Sequence, residues 1–192
     1  MTQYPSISNK WRPGHYWIYN KLDGSNIRVE WNRKNGFYKW GRRHGLLDDS
    51  NPILKRAPPL VMEGYSEELA KILKDQRVDE ATFFFEFYGL NSFAGNHLES
   101  ENQIVTLFDV HFYKKGFLNP REFENLFRDK VPLPAVRVGS IGANSIEEIV
   151  NETGHEGYVL KAASYVFKIK TKWWLDKLKE TCKGEKEFEE LA

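Results

Sequence analysis

Five short stretches of the 192-residue chain hold side chains whose types and spacing suit chemistry on phosphate. The first is Lys21-Leu22-Asp23-Gly24-Ser25-Asn26. A lysine at the end of an apolar strand, followed by Asp-Gly, sets an amine on a rigid element beside a turn whose backbone N–H groups can meet an anion. With its pKa lowered by burial and nearby cations, such an amine is a nucleophile toward phosphorus or a carbonyl; the rival reading is a plain Asp-Gly turn with an exposed lysine. Glu86 lies inside the apolar FFFEFYG, where an ionised carboxylate is costly unless it pairs with a cation or binds a ligand. Phe108-Asp109 offers an aromatic face beside an acid, in a run whose phenylalanines otherwise read as core. Glu156 and Lys161 stand at opposite ends of Glu-Gly-Tyr-Val-Leu-Lys. Lys168 and Lys170 share one strand face, because side chains two apart point the same way. Paired amines repel unless an anion sits between them, although lysines also protect sheet edges.

The elements that must position these groups follow from periodicity. Residues 15–22 read as a strand, and Ile27, Val29 and Trp31 alternate with Arg28 and Glu30 in a second. Asn35-Gly36 marks a tight turn into a strand over 37–42. Residues 48–59, DDSNPILKRAPP, read as a loop, after which Ser66 caps a short helix with Leu69, Ile72 and Leu73 on one face. Residues 82–88 and 103–113 are strongly β-prone, with an irregular connection between them. Asn119-Pro120 with Glu122 opens a helix that turns Phe123 and Leu126 inward. A further capping box at Ser145 starts a helix that stops at Gly154. Strands over 157–162 and 165–171 follow, then a helical tail over 173–192. The class expected is α+β, a single domain over 1–192 built on largely antiparallel sheets.

Composition narrows the field. Hydrophobic residues make up 41% and charged residues 29%, with 6 Trp, 9 Tyr and 13 Phe, which is ample for a packed core and excludes wholesale disorder. No apolar run approaches the ~20 residues of a membrane span, and the first residues lack the features of a signal or transit peptide. The expected location is therefore cytoplasmic. A single cysteine, Cys182, excludes a disulfide scaffold or a cysteine-based zinc site, and the five histidines show no ligand spacing. Net charge is +1, yet residues 1–60 hold 11 Lys and Arg against 4 Asp and Glu. That local excess attracts phosphates, unless it is a chance clustering of surface charge.

The ordered set Lys-x-Asp-Gly, Arg, a strand acid, Phe-Asp, Glu-Gly-x-Val-x-Lys and Lys-x-Lys resembles the covalent nucleotidyltransferase superfamily, which contains ATP-dependent DNA ligases, RNA ligases and messenger-RNA capping enzymes. The similarity runs from about Tyr16 to Trp174. It implies that Lys21 is the nucleophile that takes AMP through a phosphoramidate bond, within a nucleotide-binding loop that includes Asp23, Gly24 and Asn26. It further implies Arg43 at the nucleotide or end phosphate, with Arg42 as rival, Glu86 at the ribose and Phe108 stacked on the base. Glu156 matches the acid linked to metal, Lys168 and Lys170 the pair that grips the α-phosphate, and Lys161 the lysine closing the Glu-Gly motif. The cofactors implied are ATP with Mg2+ or Mn2+.

Within the superfamily, DNA ligases and capping enzymes usually carry Arg two residues after the motif glycine, where this chain has Asn26. The Lys-x-x-Gly-x-Asn form resembles phage and editing-type RNA ligases. About twenty residues after Lys170 are too few for an oligonucleotide-binding barrel, which also favours the RNA ligase branch. The implied partner is nucleic acid with 5′-phosphate and 3′-hydroxyl ends, RNA ahead of DNA, with an accessory protein or domain replacing the usual C-terminal one. If phage-encoded, the protein acts in the host cytoplasm. Trp31, Trp40, Trp173 and Trp174 are candidates for base stacking or for core. The rivals are a minimal DNA nick ligase, a capping-type guanylyltransferase and a non-catalytic nucleic-acid-binding module.

Overall fold

Alternation of apolar and polar residues builds the N-terminal strands as expected: β1 (Gly14–Asn20), β2 (Ser25–Asn32) and β3 (Gly36–Arg42). The computed structural model describes residues 1–47, 52–90 and 100–182. The phenylalanine-rich run forms β4 (Glu80–Tyr88), and β5 (Ile104–Phe112) and the short β6 (Gly116–Phe117) follow. These make a five-stranded antiparallel sheet of order β3-β2-β4-β5-β6. A second antiparallel sheet of order β7-β1-β8-β9 joins β1 to β7 (Val136–Ile141), β8 (Gly157–Lys161) and β9 (Val166–Lys170). The fold is α+β, as expected.

Each sheet buries one face under helices. Ile27, Val29, Phe83, Phe85 and Leu107 of the larger sheet pack with Val61, Leu69 and Leu73 of α1 (Ala57–Asp75) and with Phe123 and Phe127 of α2 (Pro120–Phe127). Tyr16, Ile18, Leu160, Phe167 and Ile169 of the smaller sheet pack with Ile149 of α3 (Ala143–Val150). The opposite faces meet across a cleft, where Lys161 of β8 reaches Asp109 of β5. A last helix, α4 (Lys172–Thr181), is capped by Thr171, whose hydroxyl oxygen accepts from the Trp174 N–H at 3.2 Å. Among the described residues no helix is long and apolar enough to cross a membrane.

Three local expectations need correction. The segment expected to be a loop up to Pro59 enters a 3-10 turn at Leu54–Arg56 and becomes α1 at Ala57, so Ser66 is not its cap but donates to the Met62 carbonyl inside it. Pro58 and Pro59, read as breakers, sit in the first turn, where proline's missing N–H costs nothing and its fixed φ suits a helix. Ser145 likewise is not the first cap of α3. It is the third helical residue, and its hydroxyl accepts from the Gly142 N–H at 3.4 Å. The capping box at Asn119 and Glu122 forms as expected. Of the four candidate stacking tryptophans, Trp31 and Trp174 are buried. The connection expected over 89–102 and the tail lie partly outside the described residues.

Candidate active site

Lys21 follows β1 directly, and its N–H donates to the Gly157 carbonyl at 2.9 Å, which fixes the loop start against β8. Two glycines let the backbone close in there. A Cβ on Gly24 would lie 2.4 Å from the Phe87 carbonyl oxygen, and one on Gly157, at φ +140°, 2.0 Å from that of Ile169. The Lys-x-Asp-Gly loop thus lies against β4, and the Glu-Gly turn against β9.

The chemistry converges on Glu156, which is only 4% exposed. Lys21 Nζ lies 2.8 Å from one of its oxygens and Lys170 Nζ 3.4 Å from the other, so a single carboxylate bridges the two amines. Burial and the neighbouring Lys21 and Lys168 cations, opposed by Glu156, bring the Lys170 pKa down to about 8, and its ammonium sits 4.2 Å over the Trp174 ring. Lys168 is likewise lowered, by burial and by Lys21.

Lys21 itself departs from expectation. Burial pushes its pKa down, but Glu156, Glu86 and Asp23 together hold it above the ordinary lysine value. Acids, not cations, dominate its surroundings, so the amine rests as a cation and must lose its proton before it can attack. Glu86 shows the converse: burial, with Glu156 and Asp23 adding to it against Lys21 and Arg43, raises its carboxyl pKa to about 8.

Glu86 lies opposite Asn26 in the β2–β4 ladder, on the cleft face. The Asn26 Oδ1 is buried without a hydrogen-bond partner among the described residues, an acceptor that a bound ligand's donor would satisfy. Of the two rival arginines, the charge of Arg43 acts on both Glu86 and Lys168. Both arginines are exposed. Phe108 is the extra residue of a β-bulge between Phe84 and Phe85, a device that re-aims a side chain beside a site.

Lys161 is taken up differently from the other lysines. Its amine donates to Asp109 Oδ2 at 2.7 Å and to the Phe108 carbonyl at 3.1 Å, joining the two sheets beneath the bulge instead of meeting Glu156. One contributor escaped the sequence reading altogether: Tyr4, whose hydroxyl donates to the same Asp109 oxygen at 2.9 Å. No local pattern marks it, because its partner is 105 residues away.

Among the described residues no three His, Cys, Asp or Glu side chains gather to hold a metal. A magnesium-type ion usually takes one or two protein carboxylates and draws its other ligands from water and substrate phosphates. Glu156, buried at the mouth of β8 with an oxygen toward each of Lys21 and Lys170, is the carboxylate here whose chemistry fits such an ion.

The family model described as RNA ligase matches residues 14–174. The chain belongs to the RNA ligase family. Solved structures of an RNA ligase from Naegleria gruberi share the fold. A mutant with ATP and manganese aligns at TM-score 0.60 with 19% identity, and a form with pyrophosphate at 0.61 with 20%. Each alignment covers 86% of this chain and 52% of the other, so this RNA ligase family member spans about half the length of those chains. No curated protein matches the chain.

Proposed function

We propose that the chain is the nucleotidyltransferase domain of an ATP-dependent RNA ligase, a single domain that carries α4 (Lys172–Thr181) after its last strand. The observation that carries this reading is the bridging of Lys21 and Lys170 by one buried carboxylate, Glu156, at the cleft between the sheets. Lys21, after giving up a proton to solvent, attacks the α-phosphorus of ATP, forming an N–P bond as the bond to pyrophosphate breaks. AMP then passes to a 5′-phosphate, and a 3′-hydroxyl displaces it to form the phosphodiester.

The roles follow from placement. Lys168 and Lys170, two apart on β9, face the anion and stabilise charge developing on the α-phosphoryl oxygens. Asn26 and Glu86 lie side by side for the ribose and its surroundings, and Phe108 presents the stacking face. Asp23 and Gly24 shape the nucleophile loop, Arg43 rather than Arg42 meets the nucleotide or end phosphate, and Lys161 supports Phe108 from below. Glu156 would hold a divalent metal, which would supply neutralisation of the triphosphate charge. RNA with 5′-phosphate and 3′-hydroxyl ends is the favoured substrate, with an accessory protein or domain completing the strand contacts, in the cytoplasm.

Incubation with α-labelled ATP and magnesium tests the reading. An acid-labile adduct, absent with GTP and lost in Lys21→Ala, is the expected result. A GTP-specific adduct would move the chain to the capping branch, and no adduct at all would leave a binding module. Transfer to nicked RNA but not nicked DNA is expected in the sealing assay.

A further inference from the structure

Residues 1–13 precede the stretch matched by the RNA ligase family model, yet they touch both walls of the cleft. Buried Arg28 on β2 donates to the Thr2 carbonyl at 3.0 Å. The Lys168 N–H donates to the Ser8 carbonyl at 2.8 Å, and Ser8 forms a parallel bridge with Phe167 of β9. Between these anchors, the Tyr4 ring meets Phe108 edge-on, with centroids 5.0 Å apart at 85°, meets Phe117 in the same way at 5.5 Å, and lies tilted against Phe84 at 5.2 Å.

Phe108 needs such support because of where it stands. As the extra residue of a bulge it lacks a ladder partner, so neighbours rather than strand pairing decide where its ring points. Below it, Lys161 holds its carbonyl and Asp109; beside it, Tyr4 holds its edge and the same Asp109 oxygen. Ring, carboxylate and amine thus form one connected support for Phe108, and the segment that supplies the ring is also tied to the strand of the phosphate lysines.

We propose that Tyr4 is a positioning residue of the nucleotide site, which presets the Phe108 ring for stacking on a nucleobase. This rests on the ligase reading above. A preset ring needs no ordering when the base arrives, so Tyr4 acts on nucleotide affinity. Its hydroxyl goes to Asp109 and its ring to Phe84, Phe108 and Phe117, so its effect falls on the base platform and not on the transfer step.

The test measures the self-labelling rate of the full chain against ATP concentration for Tyr4→Leu, Tyr4→Met and Tyr4→Phe, with melting curves and calorimetric titration of AMP in parallel. Tyr4→Leu and Tyr4→Met are expected to raise half-saturating ATP about threefold to tenfold, with the saturating rate within about twofold of the parent, the range an aromatic edge contact supports. Tyr4→Phe, which keeps all three ring contacts, is expected to restore most of that affinity. Unchanged half-saturation in a variant that melts well above the assay temperature would overturn the proposal, as would a lost saturating rate at unchanged half-saturation. If the parent forms no adduct, the ligase reading fails. Weaker AMP binding by Tyr4→Leu would then still support Tyr4, and equal or absent binding would overturn it.

Discussion

The larger sheet shows the same strands to two different surroundings. On the helix side Ile27, Val29, Phe83, Phe85 and Leu107 are wholly buried in an apolar layer under α1. On the cleft side the alternate positions carry Asn26, Glu86 and Asp109, with Phe108 turned out by the bulge. One face therefore stores stability, and the other holds groups that cost it: a carboxyl with its pKa near 8 and a buried amide oxygen without a partner among the described residues. The division teaches that strand alternation alone lets one sheet be both scaffold and site. The electrostatic strain of the site is tolerated because packing on the far side does not depend on it.

Substitutions on the two faces should then separate stability from activity. The largest effects come from each face's centre. Phe85→Ala should cost about 3–5 kcal/mol of stability by opening a cavity, yet leave self-labelling near normal at temperatures where it stays folded. Glu156→Ala should abolish labelling and also cost about 3–5 kcal/mol, because it strips two facing amines of their shared carboxylate. Chemical denaturation and labelling on the same preparations check both, and a Phe85→Ala variant that folds but cannot label would break the division.

Phe108→Ala should raise half-saturating ATP roughly tenfold, the scale of one base-aromatic stack, with little change in melting temperature. An unchanged half-saturation would return Phe108 to the core. Glu86→Gln should weaken labelling while stabilising the fold. With its carboxyl titrating near 8 in the folded chain against about 4.5 unfolded, the wild type loses stability as pH rises through that window. The melting temperature of Glu86→Gln should thus match the parent near pH 4 and exceed it at pH 9. The smallest contrast lies between the arginines. Arg43→Ala should reduce labelling a few-fold and Arg42→Ala hardly at all, since the charge of Arg43 acts on both Glu86 and Lys168.

What the sequence disclosed depended on the range of the physics involved. Lys21, Gly24, Glu156, Gly157, Lys168 and Lys170 were legible because they fall in an ordered set of short local motifs that resembles a known superfamily, each piece alone being open to a plainer reading. The proton on Lys21 was not: its pKa reflects Glu156 and Glu86, brought in from other strands, and these outweigh the cations that the motifs suggested. β7 escaped because its pairing with β1 defines it, its own alternation being interrupted by Gly139. The start of α1 was misread because paired prolines signal a loop unless a helix begins at them. Tyr4 and Arg28 were invisible because their partners are tertiary.

The central claim is that Lys21 carries the nucleotide. Intact-mass measurement after incubation with ATP and magnesium, followed by peptide mapping at neutral pH, tests it most directly. One added AMP is expected on the peptide containing Lys21, and none in Lys21→Ala at unchanged melting temperature. An adduct that survives in Lys21→Ala, or that maps to Lys161, Lys168 or Lys170, would contradict it.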